Sequence, residues 1–260
     1  MSNSRRKFLK LSAGGLAISM MLASPVGKLA FAKGKTKIKA VAFDAFPIFD
    51  PRPAFKVLKE QFPEHGEELQ KAWFSKIFGY TWLRTSADQY KSFWQVMEEA
   101  LRFTTKSMKL ELPPEKQHVI MQAFLKLPVW PDVIPALEKL KAQNIRLAFL
   151  SNMSEEMLQA NMKLNNIDRF FEAAISTDEA KEFKPAKTAY QLGVDKLKLT
   201  KDEIAFAAFA GWDAAGASWF GYPTVWVNRL QHPAEELGTA PDATGADMNA
   251  LVEFIEKRNG

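Results

Sequence analysis

Four polar stations in this chain stand just after apolar runs of strand length: Asp44, Ser151-Asn152, Lys184 and Asp213. If those runs are parallel strands of one sheet, their C-terminal ends share a rim, and residues far apart in sequence converge there. A carboxylate on such a rim can serve as a nucleophile or as a metal ligand. Two positions beyond Asp44 stands Phe46, not a second aspartate. Phe46 brings neither a second carboxylate for magnesium nor a proton for a leaving alkoxide, so a phosphatase is disfavoured. Asp44 is better suited to attack a carbon centre. Each station alone has a plainer reading. Ser-Asn and Asp213 are ordinary helix caps, and Lys184-Pro185 an ordinary loop. Their recurrence at successive strand ends is what argues for a site.

The elements that must position them follow from periodicity. Residues 38–43, 145–150, 173–176, 204–209 and 224–228 read as buried strands, and residues 133–143, 155–165, 187–192 and 214–220 as helices between them. Strand and helix in alternation imply a doubly wound, mostly parallel α/β sheet. Between the first and second strands, residues 53–127 show no strand. Residues 67–78, 86–103 and 115–125 carry apolar side chains at helical spacing, and Pro113-Pro114 separates two of these helices. The expected organisation is a core of residues 33–52 and 128–260, interrupted by a helical cap at 53–127.

The order and spacing of Asp44, Leu150-Ser151-Asn152, Lys184-Pro185 and Gly211-Trp212-Asp213 resemble the four motifs of the haloacid dehalogenase superfamily. Tyr80-Thr81-Trp82-Leu83-Arg84, Glu99-Ala100-Leu101-Arg102-Phe103 and Phe220-Gly221-Tyr222-Pro223-Thr224 narrow the resemblance to its type II L-2-haloacid dehalogenases. The likeness runs over residues 38–255. It implies a hydrolase acting on carbon–halide bonds, with a small 2-haloacid and water as its partners and no cofactor or metal. Asp44 would displace halide from C2 as an aspartyl ester, which water then opens to a 2-hydroxyacid of inverted configuration. Lys184 would supply the counter-charge. Arg84, reaching in from the cap, would receive the halide or the substrate carboxylate. Ser151 and the amides around Ala45, Phe46 and Asn152 would hold that carboxylate. Tyr190 would orient the charges, and Asp213 would orient Lys184 or the attacking water. Phe46, Phe93 and Trp212 would wall the pocket, although core packing explains such aromatics equally well. Relatives commonly pair through cap helices, which makes a homodimer an expectation of the resemblance and of nothing else in the sequence.

The chain departs from that pattern at two places. Where the family follows its nucleophile with an aromatic, Gly and Thr, this chain has Phe46-Pro47-Ile48. Where the family presents Ser and Asn before the last motif, it has Ala208, Phe209 and Ala210. Each change removes a polar contact, and the step put in question is hydrolysis of the ester. Two alternatives therefore stand beside the dehalogenase: a pocket protein of the same fold with impaired turnover, and a phosphatase-type hydrolase.

Arg5-Arg6 precedes the weakly apolar stretch 11–26, and Ala30-Phe31-Ala32 supplies small residues at the positions a signal peptidase reads. Residues 1–32 thus resemble a twin-arginine signal, with cleavage after Ala32 and a periplasmic mature protein. A basic helix that stays attached is the alternative. This segment holds Arg5, Arg6, Lys7, Lys10 and Lys28 and no acid, which accounts for the whole net charge of +5. The remainder is balanced, so neither nucleic acid nor an anionic membrane surface is an expected partner. There is no cysteine, which excludes disulfides and thiolate chemistry.

Overall fold

The computed structural model describes residues 36–260. The twin-arginine segment expected at residues 1–32, with its cleavage point, lies outside the described residues.

Strand β1 (Ala40–Phe43) is buried along its whole length, as a central parallel strand covered on both faces must be. Its side chains alternate. Val41 and Phe43 enter one core, and Ala40 and Ala42 the other. The same alternation runs through β2 (Arg146–Ser151), β4 (Ile204–Ala208) and β5 (Thr224–Val227). With β3 (Ala173–Ser176) and β6 (Ala243–Gly245), these form a sheet of order β3-β2-β1-β4-β5-β6 in which every pairing is parallel. Strand order reverses at β1, which lies between β2 and β4. The crevice beyond the carboxyl ends at such a reversal is where open α/β sheets hold their ligands. In register, Phe43 lies beside Phe149 of β2 and Ala207 of β4, so the residues that follow emerge at one rim.

Helices α5 (Val133–Ala142), α6 (Glu155–Leu164) and α9 (Asn249–Asn259) contribute to the core on the Val41 face. Helices α7 (Lys187–Leu197) and α8 (Gly211–Phe220) cover the Ala40 face. Small side chains at Ala40, Ala42, Ala148 and Ala208 leave room there for the rings of Tyr190, Phe206 and Tyr222. The doubly wound α/β architecture is the one expected from the alternating pattern.

Between β1 and β2 run four helices: α1 (Arg52–Gln61), α2 (Gly66–Ser86), α3 (Phe93–Ser107) and α4 (Pro114–Ala123). They share the core of the Val41 face, and the described residues 36–260 lie within one compact unit. Trp73 of α2 donates its indole N–H to the Met97 carbonyl of α3 at 2.8 Å. The expected helix over 86–103 is corrected: α2 runs on to Ser86, and residues 87–92 are non-helical. The local cause is a capping box, in which Ser92 Oγ accepts from Gln95 N and the Gln95 side chain accepts from Ser92 N. α1, β6 and α9 were not anticipated.

Candidate active site

Asp44 is the first residue after β1. Its backbone N–H continues the ladder to Ala207 O at 3.0 Å, which fixes where the side chain begins. Asp44 Oδ1 accepts from Lys184 Nζ at 2.8 Å and from Ser151 Oγ at 3.3 Å. Among the described residues, Oδ2 accepts only the Phe46 N–H, at 3.3 Å. One carboxylate oxygen is therefore held by a cation and a hydroxyl, and the other is lightly engaged.

Lys184 is 1% exposed, and its ammonium also donates to Asp213 Oδ2 at 2.6 Å. Burial opposes the charge on Lys184, but the Asp213 and Asp44 carboxylates outweigh it and hold the ammonium above the usual lysine range. The Phe206 ring lies under Nζ at 5.0 Å and completes a desolvated cation site. Asp213, in the first turn of α8, is as deeply buried as Lys184. Burial pushes its carboxyl up to about 6 against the pull of Lys184, and the nearby Asp44 charge pushes the same way.

Tyr190 of α7 donates from Oη to Asp213 Oδ1 at 2.7 Å. Burial, reinforced by Asp213, raises its phenol well above the ordinary value, so Tyr190 remains a proton donor in this network. Its close approach depends on Gly216: a Cβ there would lie 2.5 Å from Tyr190 Oη and 2.8 Å from Pro185 Cβ. Asn152 Oδ1 accepts from Lys184 N at 3.0 Å and Thr177 Oγ1 at 3.3 Å, which orients the amide.

Above this floor lies a cavity of about 370 Å³. Asp44, Ser151, Asn152 and Asp213 line its base, and Phe46, Phe93 and Trp212, expected in the wall, are there. Sequence reasoning missed Phe74, Phe78, Met153, Trp226, Leu230, His232 and Glu235, which also line it. Phe74 and Phe78 stand one helical turn apart on α2, a spacing that signals a shared face. His232 follows β5 at the same rim. Its backbone is clamped by Asn228, whose side chain donates to His232 O at 2.8 Å and accepts from His232 N at 2.9 Å.

Arg84 is not brought into this cavity. Its guanidinium pairs with Glu99 of α3 and donates to the Gln89 carbonyl. The reason is helical phase. Arg84 stands six residues beyond Phe78, about 240° further round at about 100° per residue, and so faces α3. Ala45 and Tyr190 are likewise not part of the cavity lining. Ala45 is buried in the core beside Asp44, and Tyr190 stands behind Asp213.

The loop after Asp44 shows what the Phe46-Pro47-Ile48 change does. Ile48 is fully buried and offers Asp44 no hydroxyl. The loop is braced from outside instead. Trp130 Nε1 donates to Phe46 O at 3.0 Å, and Arg229, paired with Asp132 at 2.9 Å, donates to Pro47 O at 2.6 Å. Ala208 and Phe209 direct no side-chain hydrogen-bonding group toward the floor.

Known proteins resemble this arrangement over most of the chain. A family model described as haloacid dehalogenase-like hydrolase matches residues 36–221. The (S)-2-haloacid dehalogenase of Pseudomonas sp. (strain YL) is 34% identical over 224 residues, covering 86% of this chain and 97% of that protein. Haloacetate dehalogenase H-2 of Moraxella sp. (strain B) is 34% identical over 220 residues, covering 84% and 98%. Among solved structures, the L-2-haloacid dehalogenase RSc1362 superposes with a TM-score of 0.83 at 34% identity, covering 85% of this chain and all of that one. The Xanthobacter autotrophicus L-2-haloacid dehalogenase with chloropropionic acid covalently bound gives 0.78 at 29% identity, covering 84% and 98%.

Proposed function

Because this chain belongs to the haloacid dehalogenase-like hydrolase family, we propose that it is a hydrolytic dehalogenase of 2-haloacids that works through an ester on Asp44. The observation that carries the reading is the division of labour between the two Asp44 oxygens. Oδ2, the lightly held one, attacks C2 from behind. The carbon–halogen bond breaks and halide leaves with its electron pair. Oδ1 becomes the ester carbonyl oxygen, already facing Lys184 Nζ and Ser151 Oγ. When water adds to Cγ, negative charge develops on that oxygen between two donors aimed at it in advance. Collapse releases the 2-hydroxyacid and restores Asp44. Asp213 takes the proton from the attacking water, a task suited to a carboxyl that titrates near 6. Tyr190 keeps Asp213 in place. Asn152, at the base of the cavity, receives the substrate carboxylate, and helices α1–α4 act as a cap over the aromatic wall.

A phosphatase fits less well. Lys184 Nζ already stands between the two carboxylates that would have to share a cation, and Phe46 carries no acid. A binding protein with failed turnover draws support from the apolar Ile48, Ala208 and Ala210. Halide release from 2-chloropropionate, unaffected by chelator, tests the dehalogenase reading. Intact mass after incubation tests the other: an accumulating adduct on Asp44 would mean alkylation without hydrolysis.

We also infer export by the twin-arginine segment, supported by Arg5-Arg6 and Ala30-Phe31-Ala32 alone. Pairing of two copies through α2 and α3 is proposed from the exposed Trp82, Leu83 and Phe103. Sedimentation of the purified protein at twice the chain mass would support it.

A further inference from the structure

The cavity above Asp44 is larger and more apolar than a short 2-haloacid requires. Its volume of about 370 Å³ falls in the range that holds drug-sized ligands. Seven aromatic rings line it, and no Lys or Arg among the described residues does. The nearest ammonium, Lys184, is already committed to Asp44 and Asp213 beneath the floor.

The rings form a continuous surface. Phe46 contacts Phe74 and Phe209 at centroid distances of 6.2 and 5.6 Å, and Phe78 contacts Trp212 at 5.2 Å. The wall is built from α2, α3, β5, the turn after β1 and the stretch from Phe209 into α8. Of the side chains able to receive a carboxylate, Asn152 lies at the base beside Asp44, and His232 lies at the rim beyond β5. A substrate seated with its carboxylate at that base must direct its C2 substituent up the aromatic wall. A methyl group would leave most of the space to water against apolar surface, which is unfavourable.

We infer that the substrate carries, on the carbon that Asp44 attacks, a hydrocarbon group of phenyl size or larger, aromatic by preference because rings can pack edge-to-face on this wall. The class is the 2-halo-3-arylpropionates and their close analogues. The chemistry is unchanged: R–CHX–COO⁻ and water give R–CHOH–COO⁻, halide and a proton. The inference rests on the dehalogenase reading and specifies its substrate.

The test is bromide release by the full chain from 2-bromopropionate, 2-bromohexanoate and 2-bromo-3-phenylpropionate, each enantiomer assayed separately. The expected result is a kcat/KM that rises along the series, with the phenyl member at least about tenfold above the methyl member. The Ala210→Leu variant, which fills part of the cavity, should lower the phenyl-to-methyl ratio. A flat or falling series in the wild-type protein would overturn the inference and leave the dehalogenase reading standing. Absence of bromide from all three would overturn both.

Discussion

The floor and the wall of this site are built on different principles. The floor is a buried charge network in which one ammonium serves two carboxylates at 2.8 and 2.6 Å, with Tyr190 and Ser151 bonded to its ends. Every member sits at or just behind the carboxyl end of a core strand, or on a helix packed against those ends. The wall is a set of rings from α2, α3, α8, β5 and the rim loops, with His232 and Glu235 as the polar side chains at its edge. The floor holds a fixed geometry at high desolvation cost, which suits bond-making. The wall excludes water and grips hydrocarbon, which suits selection among substrates. Reaction type is thus assigned to the sheet, and substrate choice to the inserted helices and loops.

If that separation holds, floor changes abolish turnover for every substrate, and changes away from both regions do little. The largest effect is expected for Lys184→Met. It leaves two carboxylates facing each other in a buried site, which costs about 3–5 kcal/mol of stability. It also removes the main donor to Oδ1, lowering ester hydrolysis by at least about 100-fold. Denaturant unfolding and single-turnover kinetics read the two separately.

A pH profile probes the floor more gently. Asp213 is charged above about pH 6 and protonated below it. A base must be deprotonated to work, so the rate of ester opening should fall as pH drops through 6. Asp213→Asn should remove that limb together with most of the activity. A profile flat between about pH 5 and 7, a window set about one unit either side of such a titration, would detach Asp213 from the proton transfer.

The smallest effect is expected at Arg84. Its ion pair with Glu99 is partly exposed, so Arg84→Ala should cost about 1 kcal/mol or less and change kcat/KM by less than about threefold. A loss near 100-fold would show that Arg84 swings into the cavity when substrate binds, and would blur the line between floor and wall.

Much of the floor was legible in the sequence because strand ends are. A run as short as residues 38–43 reads as a buried strand by its length, and the polar residue that closes it stands at the strand's end. Asp44 and Ser151 close such runs and Asp213 stands just beyond one, while the family motifs supplied Lys184 and Tyr190. The wall was less legible. Residues 73–83 of α2 read Trp-Phe-Ser-Lys-Ile-Phe-Gly-Tyr-Thr-Trp-Leu, apolar nearly all round the helix. Periodicity cannot then decide which face meets the site, and only packing against α3 does. That is why Arg84 was expected in the pocket while Phe74 and Phe78 went unnoticed. β6 has only three residues, none fully buried, and gives no apolar run to find. His232 sits in an exposed loop beyond β5 that the Asn228 clamp holds in place, and neither that loop nor the clamp has a sequence signature.

The central claim is that an Asp44 oxygen becomes the hydroxyl oxygen of the product. It is tested most directly by one turnover in heavy-oxygen water, with enzyme in excess over 2-bromopropionate, followed by mass analysis of the product and of the peptide containing Asp44. The account predicts ordinary oxygen in the 2-hydroxyacid and one solvent oxygen in the Asp44 carboxylate. Heavy oxygen in the hydroxyl group, with Asp44 unlabelled, would show that water attacks C2 directly and would contradict it.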